Sequence, residues 1–235
     1  MDVIFIWQNI RRIVREFMVR QVYLIATGIV FTVSIWMIFL WAPTEINQGQ
    51  VQRILYLHVP FAWASMVAII AIAFTSFLFL YTKNDRWDNL SQSLAEVGLV
   101  SAVIMLFSGI VWAKPVWGVW WTGEAKLTTA LVLFFIYCAY LLFRNYFPPG
   151  NARNRIAAII ALIGAIDSPI IYYAAQIWEQ NHPKVIVGPL ASEESNLNGE
   201  MVITLLFCVL TVTLLFVGLV WTQYQTNKLL GSKNV

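Results

Sequence analysis

The chain holds only two histidines, His58 and His182. His58 stands in QRILYLHVPFAW, where an apolar run begins, and His182 in WEQNHPKV, after a later apolar run ends. Neutral imidazole is the commonest biological metal ligand. Two imidazoles approaching from opposite sides can fill two opposed positions on one metal. The plainer alternative is that each caps a helix end or hydrogen-bonds at an interface. From the histidines alone the two readings stay open.

Between them runs WAKPVWGVWWTGEAKLT, which gathers Trp112, Trp117, Trp120 and Trp121. Tryptophan anchors helix ends at membrane interfaces, but an anchor needs one or two residues and not a cluster. Pro115 and Gly118 break helix and let the chain turn. A broken, tryptophan-lined segment offers a flat apolar platform to a planar ligand. Lys114 and Lys126 flank it and suit carboxylates on that ligand. The ligand so described is flat, amphipathic, anionic and metal-containing. Haem satisfies each condition, and its iron takes axial histidines.

These groups must be positioned by an unusually apolar chain. Of 235 residues, 60% are hydrophobic and 11% charged, against about 25% charged in soluble domains. That composition fits a surface facing lipid. A net charge of +3 gives no case for nucleic acid. Cys138 and Cys208 lie inside apolar runs with no C-x-x-C pair, so they read as small buried hydrophobes. The run G-x-x-x-x-G-K-[ST] is missing, so any ATP energy must come from a partner. The first twenty residues are too polar and basic for a cleavable signal peptide.

A membrane span needs roughly 20 apolar residues. Stretches that qualify are Val22 to Ala42, Val59 to Tyr81, Leu94 to Ala113, Leu127 to Phe143, Ile156 to Tyr173 and Met201 to Thr222. Asp167 and Pro169 interrupt the fifth. Asp167 either lines a ligand path or serves a broken helix as a hydrogen-bond partner. Pro60 either kinks the second helix or sits in its first turn. The fold class is therefore an all-α integral membrane bundle of about six transmembrane helices.

Basic residues set the orientation. With the N-terminus in the cytoplasm, Arg11, Arg12, Arg15, Arg20, Lys83, Arg86, Arg144, Arg153, Arg155, Lys228 and Lys233 lie inside. Only Arg53, Lys114, Lys126 and Lys184 lie outside, which accounts for all 15. Both termini are then cytoplasmic, and both histidines and the tryptophan loop are external. Ile6, Ile10, Ile13 and Phe17 recur at helical spacing, so the N-terminus reads as an amphipathic helix on the inner leaflet or as an ordinary basic flank. The expected divisions are an interfacial helix over 1–20, a six-span membrane domain over 21–222 and a cytoplasmic tail over 223–235.

The runs KPVWGVWWTGEAKLT, GQVQRILYLHVPFAW and IDSPIIYY resemble the haem exporter protein C family of cytochrome c maturation (CcmC), within the tryptophan-rich WWD group. The resemblance spans about Val22 to Trp221. It implies a protein of the bacterial inner membrane that holds haem on the periplasmic side and passes it to the haem chaperone CcmE. It further implies work beside an ABC transporter of ATPase and membrane subunits, CcmA and CcmB, and the small single-span CcmD. The chain is then a transport component and not an enzyme. His58 and His182 match the axial iron ligands, and Trp117, Trp120 and Trp121 the platform. The candidate binding set is Trp112, Lys114, Trp117, Gly118, Trp120, Trp121, Glu124 and Lys126, with His58 and His182 on the iron. Two departures stand out. Gly123 and Glu124 occupy the usual Trp-Asp, ahead of Lys126, Leu127 and Thr128, and Pro183 follows the second histidine. A haem lyase of the same group would bring more spans and further histidines. A structural transporter subunit would use its tryptophans only as lipid anchors.

Overall fold

The computed structural model describes residues 3–177 and 197–231. Among these, helices account for nearly everything, and the only strand-like feature is an isolated bridge between Glu45 and Gly49. Helix α1 covers Val3–Trp36 and runs into a π turn, Met37–Trp41. A 3-10 turn, Gln50–Ile54, leads into α2, Leu55–Thr82. Helices α3, Asp85–Trp117, and α4, Ala125–Tyr146, follow. The fifth stretch is split into α5, Asn151–Gly164, and α6, Asp167–Ile177. Helix α7 is Gly199–Gly231.

Six of these stretches are long and apolar enough to cross a membrane: Phe17–Trp41, Gln50–Thr82, Asp85–Trp117, Ala125–Tyr146, Asn151–Ala174 and Gly199–Leu229. The last five contain the corresponding stretches read from hydropathy and extend them, and the first starts earlier, at Phe17, and stops one residue short, at Trp41. In hydrocarbon every backbone N–H and C=O must be satisfied within the segment, so an apolar run of this length becomes helix. The N-terminal element is helical and continues into the first span without a break near residue 20. No Gly or Pro interrupts the chain from Val3 to Thr27.

Local chemistry sets the ends. Asn84 caps α3 by accepting from the Arg86 N–H at 3.1 Å, and Asp85 and Asp88 occupy its first turn, where carboxylates favour the helix dipole. Gly118 closes α3 at φ 77°, with its N–H on the Lys114 carbonyl. That left-handed conformation suits glycine. Between α5 and α6 the chain turns at Ala165 and Ile166, and Pro169 falls in the first turn of α6, where its missing N–H costs nothing. Asp167 is buried at the start of α6 and does not line the cavity described below. Its Oδ2 is buried without a hydrogen-bond partner among the described residues. Pro60 lies beyond the first turn of α2, so the helix-start reading fails and the Tyr56 carbonyl loses its helical donor.

Helices α2 and α3 pack on each other along the centre. Helix α7 lies against both and carries α1 on its outer side, while α4, α5 and α6 close the opposite flank. The α1–α7 seam is tied by Ser34 Oγ to Thr211 Oγ1 at 2.6 Å and by Tyr23, whose hydroxyl donates to the Leu214 carbonyl. In the main core, Ala64, Ala68, Ala95, Ala102, Ala157 and Ala161 let backbones approach, the usual device where helices pack in lipid. Tyr137 fills the centre and donates to the Ser65 carbonyl at 2.6 Å. Cys208 is buried and Cys138 half-buried, and both are free thiols.

Within the described residues, one end of the bundle collects the start of α2, the end of α3, the starts of α4 and α7 and the end of α6. This is the His58 end. The opposite end gathers Lys83, Arg86, Arg153, Arg155 and Lys228. Arg144, read from the sequence as a flanking charge, is instead 3% exposed. Its guanidinium donates to both oxygens of Asp88, at 2.6 and 2.7 Å, and to Gln92 at 2.9 Å. Asn227 of α7 donates to Glu96 at 2.9 Å, and Gln92 bridges to Glu96 at the same distance. The α4 helix runs past Phe143 because the charge of Arg144 is met inside the bundle.

Candidate ligand cavity at the His58 end

A cavity of about 850 Å³ opens among α2, α3, α4, α6 and α7, within the ~300–1,000 Å³ typical of small-molecule sites. Its walls are largely apolar: Met66, Val67, Ile70, Leu106, Ile110, Leu133, Ile171 and Val209 among them. Polar groups concentrate toward the His58 end.

His58 lies in the first turn of α2, half-buried, with its ring toward α3. Its Nδ1 is 3.0 Å from the Met105 carbonyl and 3.2 Å from Ser108 Oγ. A carbonyl only accepts, so Nδ1 carries the proton and donates. The Ser108 hydroxyl gives its own proton to the Ile104 or Met105 carbonyl, at 2.7 and 3.0 Å, and so presents lone pairs to the ring. In the neutral imidazole Nε2 is then unprotonated and able to bind a metal. A backbone carbonyl on the other nitrogen is the usual outer partner of a ligating histidine.

Trp112 is 8% exposed and stands edge-on to His58, with ring centroids 5.9 Å apart. Its indole N–H donates to Gln48 Oε1 at 3.0 Å. Gln48 is presented by a loop whose turn is held by the Glu45 carboxylate, which accepts from the backbone N–H groups of Asn47 and Gln48. Trp112 thus steadies His58 as well as lining the cavity.

The remaining candidates divide. Trp117, Trp121 and Lys126 line the cavity. Lys114, Gly118, Trp120 and Glu124 do not. Lys114 is exposed; its ammonium donates to the Gly118 carbonyl at 2.8 Å and lies 6.0 Å from the Trp120 ring centroid. Trp120 is 57% exposed, and Trp121 37%. Glu124 occupies the N-cap position of α4 without capping it, and among the described residues its carboxylate oxygens have no hydrogen-bond partner. His182 lies outside the described residues.

Four wall or support residues carry no signal in the sequence: Gln48, Met105, Ser108 and Gly109. Ser108 and Gly109 are ordinary small residues of an apolar span, and Met105 acts through its backbone. The nearest thing to a signal is IDSPIIYY, whose Ser168, Pro169, Tyr172 and Tyr173 line the α6 wall.

These features fit haem as a cargo. The cavity has the volume and apolar walls for a porphyrin, His58 offers an imidazole lone pair, and Lys126 places a cation on the wall.

The family model for Heme exporter protein C matches residues 8–234. The Escherichia coli K12 protein named "Heme exporter protein C" is 37% identical over 159 residues, covering 67% of this chain and 64% of its own length. A Marchantia polymorpha protein named "Putative cytochrome c biosynthesis ccmC-like mitochondrial protein" is 37% identical over 156 residues, 66% of this chain and 64% of that protein. The Bradyrhizobium diazoefficiens "Heme exporter protein C" is 32% identical over 195 residues, 83% of this chain and 73% of the relative. The chain thus matches just under two-thirds of the length of the first two curated relatives. With nearly its whole length inside the family model and six helices long and apolar enough to span a membrane, the chain belongs to the haem exporter protein C family.

Proposed function

We propose that this protein binds haem in the cavity at the His58 end and hands it to a membrane-anchored haem chaperone of the CcmE type, in c-type cytochrome biogenesis. The observation that carries the reading is the unprotonated Nε2 of His58 beside a porphyrin-sized apolar cavity walled by Trp117, Trp121 and Lys126. His58 and His182 would hold the iron. Trp117 and Trp121 supply apolar contact to the ring. Lys126 pairs with a propionate. Haem supplies the iron and the planar macrocycle; the chain binds, orients and releases it. The protein acts by ligand transfer, without bond chemistry of its own. An ABC transporter of CcmA and CcmB type, with a CcmD-like small subunit, is the expected company. The site faces the periplasm across the bacterial inner membrane.

Trp120 and Trp121 test the site directly. Trp121→Ala removes a wall of the cavity and should lower haem per protein several-fold. Trp120→Ala should leave haem bound and instead slow transfer to the chaperone, because that ring stands outside the cavity with Lys114. Phe at either position should be milder, since much of the aromatic area survives. Haem content by absorbance and chaperone loading decide it. Full, equal occupancy and transfer in both Ala variants would reduce the tryptophans to lipid anchors.

The orientation is tested by reporter fusions. One placed after Val235 should read as cytoplasmic, and one inserted at Ser192 as periplasmic. The basic end of the bundle, with Lys83, Arg86, Arg153, Arg155 and Lys228, supports this. The reverse result would put the haem site on the wrong side for periplasmic delivery.

A further inference from the structure

Glycine 109 lies inside α3, in a span where a helix-favouring residue would serve packing better. It lines the cavity. A Cβ built on it would stand 2.9 Å from His58 Cε1 and 3.3 Å from His58 Nδ1. Among the described glycines three others also meet side chains closely: Gly98 against Tyr137, Gly164 against Ile136 and Gly218 against Tyr23. Those are contacts between packed helices. Only Gly109 abuts an imidazole.

The geometry of the helix explains what the notch does. The Met105 carbonyl lies one turn before Gly109 on α3. Side chains on a helix lean toward its N-terminus, so a residue at 109 would project over the turn that carries that carbonyl. With no side chain there, the His58 ring approaches the backbone closely enough to donate from Nδ1 at 3.0 Å. Ser108 Oγ, at 3.2 Å, is the second acceptor on the same edge.

We propose that Gly109 is a positioning residue for His58: its missing side chain seats the imidazole on the Met105 carbonyl, which holds the proton on Nδ1 and leaves Nε2 as the donor to iron. Gly109 touches no iron; it acts through the histidine. The consequence for haem rests on the reading of His58 as an iron ligand. The tautomer does not, and can be measured without haem.

The chain has two histidines, so ¹⁵N-histidine NMR of the haem-free protein gives two resolvable imidazoles, assigned with His182→Gln. At a pH where imidazole is neutral, wild-type His58 should show the Nδ1–H tautomer. A contact between the Gly109 α-protons and the His58 ring should also appear. Gly109→Ala should move His58 to a mixed or Nε2–H population. In the haem-loaded protein it should weaken binding by about 10- to 100-fold, the range for disturbing an outer partner of a metal ligand, with a changed Soret band. Gly98→Ala crowds Tyr137 instead and should leave the His58 tautomer and the haem spectrum unchanged. An Nε2–H tautomer in the wild type, or no Gly109–His58 contact, overturns the proposal even if Gly109→Ala fails to fold. A tautomer unaltered in folded Gly109→Ala overturns it as well. A shifted tautomer with no change in haem binding would spare the positioning role and count against His58 as the ligand.

Discussion

Replacing His58 by Ala should abolish stable haem binding, with affinity falling by more than about 100-fold. Disturbing only an outer partner of a metal-bound histidine costs about 10- to 100-fold, and this substitution removes the donor itself. Iron left on a single histidine should pass from a six-coordinate to a five-coordinate spectrum. The fold should survive, because His58 is only half-buried and its polar partners are the Met105 carbonyl and Ser108. Ser108 keeps its bonds to the Ile104 and Met105 carbonyls without it. His58→Gly with added imidazole should recover part of the wild-type spectrum, since the cavity would then hold the free ligand. Titration with haem, read at the Soret band, checks the affinity, the coordination and the rescue, and thermal unfolding of the haem-free variant checks the fold. Unchanged affinity and spectrum in His58→Ala would remove the main support for the haem site.

The second large effect lies at the other end of the bundle. Asp88→Ala leaves Arg144 charged, 3% exposed and without its carboxylate. Breaking a buried pair from one side costs about 3–5 kcal/mol. Thermal unfolding in detergent, followed by tryptophan fluorescence, should show a markedly lower midpoint. The pairing also reaches Gln92, and through Gln92 and Glu96 it reaches Asn227, so α3, α4 and α7 loosen together. Replacing both partners, Asp88→Leu with Arg144→Met, should recover much of the loss, because neither charge is then stranded. The haem spectrum of whatever protein folds should be normal, since the pair lies far from the cavity walls. Single variants as stable as wild type would show that the network has no structural weight.

Much of this architecture can be read along the chain because hydropathy is local. A run such as Val59 to Tyr81 cannot span lipid except as helix, whatever its neighbours do. The break in the fifth span is equally local: Asp167 and Pro169 sit where α6 begins. The turn at Gly118 follows from its type and place. Arg144 defeats the same reasoning. A sequence shows a charge at the end of an apolar run and cannot show that Asp88, on another helix, meets it at 2.6 Å. Charge patterning assigned Arg144 to a flank; pairing drew it inside.

The candidate site divides in the same way. Residue type alone marked His58, Trp112, Trp117, Trp121 and Lys126, which share one cavity, and it marked Lys114 and Trp120 just as strongly, which lie outside it. Adjacent residues such as Trp120 and Trp121 have the same composition and the same local context. Which of them faces inward depends on how the turn after α3 meets the bundle. Gly109 and the Met105 carbonyl lie further from any sequence signal. They matter because α2 and α3 pack in the register that sets His58 against them, and register between helices is fixed by packing over their whole length. The chain by itself determined six apolar helices, a broken fifth span and a cluster of groups suited to haem. Tertiary structure decided which of those groups meet and which nitrogen of His58 is left to bind, because both depend on distances between segments far apart in sequence.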